Sequence, residues 1–141
     1  MPDSVRKVHY FSTLVSNKPG QAFNVLATLV SAGVNLLACK GFPSGRRSRI
    51  DVVPDDTRKF SLAVRKAGLD FSEKKAGFLI RGQDRPGALA DNLKQLAERG
   101  INITAVDGLT AGEGRWGAIL WVKSKDVVRA GRVLRARASD G

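Results

Sequence analysis

The apolar positions follow two rhythms, and each rhythm occurs twice. Residues 8–15, VHYFSTLV, and residues 77–82, GFLIRG, are strand-like runs. Each leads into a proline–glycine turn, NKPG at 17–20 and DRPG at 84–87. Beyond the turns, Leu26, Leu29 and Val30, and then Leu89, Leu93, Leu96 and Ala97, recur at helical spacing. Gly33 and Gly100 stand where a helix C-terminus favours a residue that tolerates positive φ. The runs VNLLAC and INITAV follow as strands, then the turn-rich segments GFPSGRRS and GLTAGEGR, then the strands RIDVV and WGAILWV. Asp55 or Asp56 is expected to cap a second helix running to Ala67. Lys125 to Ala138 is expected to be its counterpart.

A shift of 67 residues superposes the two halves. Pro19, Gly20, Leu26, Leu29, Gly33, Asn35 and Ala38 then meet identical residues at Pro86, Gly87, Leu93, Leu96, Gly100, Asn102 and Ala105. The identities fall on the turns and on core positions, where a fold is specified, so the pattern reads as an internal duplication. The predicted modules are residues 1–73 and 74–141. Each follows the order β-α-β-β-α-β, an α+β ferredoxin-like plan: an antiparallel sheet with both helices on one face. LDF at 69–71 would be the fourth strand of the first module. The second module has no evident last strand: after its final helix the chain offers only RASDG. That module is three-stranded, or completed by another segment, or cut short.

The turns are also the best candidates for chemistry. Proline suits a first helical turn because it has no N–H to leave unbonded there. Asn17 and Asp84, just before it, are placed to cap the remaining N–H groups. Gly20 and Gly87 lack a Cβ and allow a ligand or another backbone to approach. The free N–H groups and the helix dipole favour a carboxylate. Asn35 and Asn102 offer both donor and acceptor, matching the ammonium and carboxylate of an amino acid. The same residues also serve as ordinary folding punctuation.

On these residues the chain resembles the ACT domain, a small regulatory module of amino-acid metabolism. KPG…AGVNLLA and DRPGALADNLKQLAERGINITA carry the resemblance, the second more closely. The chain as a whole resembles stand-alone tandem-ACT proteins, which have no catalytic domain. The resemblance implies an amino acid or other small effector bound where the turn between the first strand and helix of one module faces the second strand of another. It also implies side-by-side pairing, hence a homodimer. Asn17, Gly20, Asn35, Asp84, Gly87 and Asn102 are the ligand-binding candidates. A histidine that contacts ligand in serine-sensing members is replaced here by Val15 and Gly82.

Composition narrows the alternatives. The 141 residues are 43% hydrophobic and 26% charged, without an apolar run long enough to span a bilayer. The N-terminus lacks a signal-peptide layout and Cys39 is the single cysteine, so a cytoplasmic protein is expected, without membrane, metal or cofactor. Catalysis is not expected either. His9 is the only histidine, and no nucleophile has a base partner at recognisable spacing. The net charge of +11 is spread over both halves and favours an anionic partner, either nucleic acid or an acidic protein. Arg46, Arg47 and Arg49 crowd one hairpin, and Arg129, Arg132, Arg135 and Arg137 mark the last predicted helix. Against RNA recognition, Trp116 and Trp121 are five apart and therefore on opposite strand faces, so at most one can stack a base. A protein-interaction module without ligand and a basic nucleic-acid binder are the two alternatives.

Overall fold

Apart from LDF at 69–71, the strand-like runs become strands, and the periodic runs become helices. The computed structural model describes residues 3–138. In order the chain forms β1 (Ser4–Ser16), α1 (Gln21–Ser31), β2 (Leu36–Ser44), β3 (Arg47–Pro54) and α2 (Thr57–Ala67). There follow β4 (Lys75–Gln83), α3 (Ala88–Ala97), β5 (Ile103–Gly112), β6 (Arg115–Val122), a 3-10 turn (Ser124–Asp126) and α4 (Val127–Val133). The fold class is α+β, as expected. The chain divides into two units, His9–Lys75 and residues 3–8 with 76–138. Residues 1–2 and 139–141, the ends of the expected modules, lie outside the described residues.

In the 9–75 unit the strands run β2-β3-β1. β3 is antiparallel to both neighbours, with Phe11 opposite Val52 and Gly41 opposite Ile50. Ile50 and Val52 alternate with Asp51, so they share a face, and they meet Leu29 of α1 and Phe60 and Ala63 of α2. Phe11 lies 4.5 Å from Phe60, centroid to centroid, and Phe71 meets Phe60 edge-on at 5.1 Å. Asp56 caps α2, its Oδ1 accepting from Lys59 N at 3.0 Å. LDF does not form the expected strand. Thr13 Oγ1 donates to Asp70 O, and Ser12 N donates to Ser72 Oγ, so side chains take up groups that a ladder would have paired. Leu69 and Phe71 still pack against the core.

In the 76–138 unit β6 lies between β4 and β5, antiparallel to both. Phe78 and Ile80 of β4 stand opposite Leu120 and Ala118 of β6. That face packs on Ala88 and Leu96 of α3 and on Ala130 and Leu134 around α4. The missing last strand is supplied from the chain's beginning. β1 stands next to β4 in the strand order, its residues 4–8 belong to this unit, and Val5 is buried in its core. On the backbone, Lys7 N donates to Arg137 O and Arg137 N to Val5 O, each at 2.9 Å. The last helix is shorter than expected. α4 ends at Val133, and Arg135 adopts φ 55, the left-handed region.

The helix ends are specified as expected. Gly33 and Gly100 have φ of 77 and 69. Val34 N and Ile101 N then reach back to Leu29 O and Leu96 O at 3.0 Å, burying an apolar pair at each end. Trp116 and Trp121 do lie on opposite faces of β6, and both are buried. Trp121 lies against Gly77, where a Cβ would overlap its ring. Gly77→Ala is therefore expected to destabilise the protein by about 1–3 kcal/mol, as overpacking does. A chemical-denaturation midpoint indistinguishable from the parent protein would refute this packing.

Candidate functional site

Both proline–glycine turns adopt one geometry. Gly20 and Gly87 are the N-cap residues of α1 and α3, with φ of 88 and 77, and a Cβ at either would meet no atom within 4 Å. An L side chain is strained in this region, so glycine is needed for conformation and leaves the helix start open. The expected capping by Asn17 and Asp84 does not occur. Each helix begins at the residue after its glycine, so the asparagine and the aspartate lie three positions before the N-cap, and neither helix has a side-chain cap. Pro19 and Pro86 accordingly precede the helices and are not in their first turns. Asn17 Oδ1 accepts from Ser48 Oγ at 3.1 Å, and Asp84 N donates to Gly114 O at 2.8 Å.

Around the second turn lies a cleft of about 310 Å³. Asp84, Arg85 and Gly87 form one side, and Gly108, Leu109 and Thr110 of β5 another, with Leu89 and Trp116 also in its wall. Of the expected ligand residues it brings together Asp84 and Gly87. Asn102 is not in the wall. It precedes the start of β5, six residues and roughly 20 Å of strand from Gly108. In the 9–75 unit, Asn17 bonds to Ser48, which pairs with Pro43 near the far end of β2. Asn35 precedes the near end, roughly 25 Å away at strand rise, so Asn17 and Gly20 are likewise not joined by Asn35. Asn35 O instead accepts from Asp55 N at 3.0 Å.

Beside the cleft, four donors converge on the carboxylate of Asp3. Arg85 Nη1 and Nη2 donate to Oδ1 and Oδ2, each at 3.1 Å. Asn92 Nδ2 donates to Oδ2 at 2.9 Å and Trp116 Nε1 to Oδ1 at 3.3 Å. The Asp3 side chain is only 7% exposed. Burial alone pushes its carboxyl up, but the bonds from Arg85, Asn92 and Trp116, with the charge of Arg85, outweigh this and hold it below the usual carboxylate range. Gly82 makes the room, since a Cβ there would overlap Asp3 Oδ1. It is also the position that a histidine holds in serine-sensing ACT domains, by the resemblance above.

Asp3, Arg85, Asn92 and Trp116 were not expected as a group. One signal was available: Asn92 is a polar residue adjoining the apolar stripe Leu89, Leu93 and Leu96. Nothing in sequence connects it to Asp3, 89 residues away. The basic features are less continuous than expected. Arg129 pairs with Asp126 at 3.3 Å, and Arg135 and Arg137 lie beyond α4, so no arginine stripe runs the length of a helix. Arg49 pairs with the buried Asp51 at 2.9 Å. Cys39, the single cysteine, is exposed on β2.

Asp3→Ala is expected to cost about 1–3 kcal/mol at neutral pH, because the buried Asn92 and Trp116 donors lose their acceptor. Gly82→Ala should produce a similar loss by displacing the carboxylate. The folded carboxyl titrates below its unfolded value, so its contribution is complete above about pH 4 and is lost as pH falls through the lower folded value. Denaturation of parent and Asp3→Ala from pH 7 to pH 3 should show their stability gap closing on the acid side. A gap independent of pH contradicts the ionised cage.

Comparison with known proteins bears on the fold. Residues 78–140 match the family model of the ACT domain. None of the curated proteins matches the chain. Among solved structures it is similar to a protein from Bacteroides thetaiotaomicron, at 20% identity over 93% of this chain and 88% of that one, with a TM-score of 0.77. It is also similar to the regulatory subunit of aspartate kinase from Thermus thermophilus, at 18% identity over 96% and 95%, TM-score 0.64. The regulatory subunit from Thermus flavus gives 20% identity over 96% and 95%, TM-score 0.59. At these identities the likeness is one of fold. Residues 78–140 thus resemble an ACT domain, and the chain as a whole shares its fold with these regulatory subunits.

Proposed function

We propose that the chain is a non-catalytic regulatory protein of two tandem ACT-like modules, 1–73 and 74–141 in sequence with residues 3–8 completing the second, that binds an amino acid. The cleft at Asp84, Gly87 and Thr110 carries this reading, because about 310 Å³ is a volume suited to a small ligand. Its chemistry supports an amino acid. Asp84 supplies a negative charge for an ammonium, Gly87 leaves the start of α3 uncovered, and Leu89 and Leu109 offer apolar wall. Two structures of shared fold are named as regulatory subunits of aspartate kinase, which supports a regulatory role. Asn17, Gly20 and Asn35 are the candidates for a second site, and Asn102 for ligand contact within a homodimer. The effector favours one arrangement of the protein, and a partner protein reads that arrangement in the cytoplasm. No described helix is long and apolar enough to cross a membrane.

RNA binding through stacked bases has less support. Trp116 is buried and its indole N–H is committed to Asp3, and Trp121 is buried over Gly77. A thermal-shift screen against the twenty amino acids separates the readings. One amino acid should raise the melting temperature saturably, by the equivalent of about 2.7 kcal/mol at 100 times its Kd. Asp84→Ala should weaken that shift, and Asn102→Ala tests the second contact. A salt-sensitive shift with a short nucleic acid, and none with any amino acid, refutes the proposal.

A further inference from the structure

We propose that Arg85, Asn92 and Trp116 form a preorganised binding site for a small carboxylate, which the chain's own Asp3 occupies, and that free carboxylates compete for it. The donors come from three separate elements: the 84–87 turn, α3 and β6. Two of them are also held by bonds to groups other than Asp3. Arg85 Nη1 also donates to Gln83 O at 3.0 Å, and its Nη2 reaches Asp91 Oδ2 at 3.5 Å. Asn92 Nδ2 also donates to Ala88 O at 3.1 Å. The acceptor, by contrast, arrives on residue 3, which is 82 positions from Arg85 and 113 from Trp116 in sequence.

The arrangement has the features of a binding site. A guanidinium grips both carboxylate oxygens in a fork, and each oxygen receives a second donor from a buried side chain: Asn92 is 4% exposed and Trp116 7%. Gly82 beneath has no side chain, so the space is shaped for a carboxylate. The site also has an entrance, because Arg85 and Trp116 line the cleft as well. A carboxylate entering from the cleft meets Arg85 and displaces Asp3. The occupant is tethered, so it acts at an effective concentration of about a millimolar or more, and outside carboxylates bind the intact protein weakly. The proposal concerns the carboxylate class alone and does not depend on the amino-acid effector.

The test uses the full chain with Asp3→Ala and sodium acetate as probe, against sodium chloride at equal ionic strength. Acetate should raise the melting temperature of Asp3→Ala saturably, with an apparent affinity at least about tenfold above that of the parent protein. The Trp116 indole N–H resonance should shift along the same titration curve. Adding Arg85→Gln to Asp3→Ala should abolish both effects. If Asp3→Ala does not fold in chloride, recovery of its circular dichroism in acetate supports the proposal equally. Three results overturn it: no advantage of acetate over chloride, equal responses in parent and variant, or a response that survives Arg85→Gln. Failure of every amino acid to bind the parent protein leaves the acetate result unaffected, so the two proposals fail separately.

Discussion

The 76–138 unit depends on a strand that its own sequence does not contain. Val5 is in its core beside Phe78 and Leu120, and backbone bonds on both sides of residue 6 join the segment to Arg137. Two residues earlier, Asp3 reaches the start of the helical layer and ties together the 84–87 turn, α3 and β6. A carboxylate with four donors fixes the register of this segment more firmly than a strand edge alone, because shifting it leaves buried donors unpaired. The cleft wall inherits that order, since Arg85 and Trp116 belong to both.

Much of this fold was legible in the sequence because its information is local. Gly33 and Gly100 announce positive φ, Asp56 announces a cap, and the alternation in WGAILWV separates Trp116 from Trp121. What sequence did not reveal is non-local. No pattern within residues 3–8 says that they complete a unit beginning some 70 positions later. LDF has the composition of a strand, yet the hydroxyls of Thr13 and Ser72 take over part of its pairing. The last helix reads longer than it is because Arg135 and Arg137 continue an arginine spacing after the backbone has turned left-handed.

The candidate site was half legible for the same reason. Asp84 and Gly87 are adjacent in sequence and share the cleft, whereas Asn102 has the right chemistry at the wrong end of β5. The glycines at 20 and 87 permit close access to the helix starts. Their φ values show a second cause, an N-cap conformation closed to most side chains. The proline expected to open each helix instead sits outside it, which moves Asn17 and Asp84 out of capping range. In the second turn, Asp84 is thereby left to face the cleft.

The cleft beside the 84–87 turn is the proposed place where a small effector binds. The most direct measurement is an NMR titration of the uniformly 15N-labelled protein with each of the twenty amino acids, following every backbone amide. One of them should move the amides of residues 84–90 and 108–110, saturably and before others. Unchanged spectra with all twenty, or shifts centred on Arg129 and Arg132, contradict this.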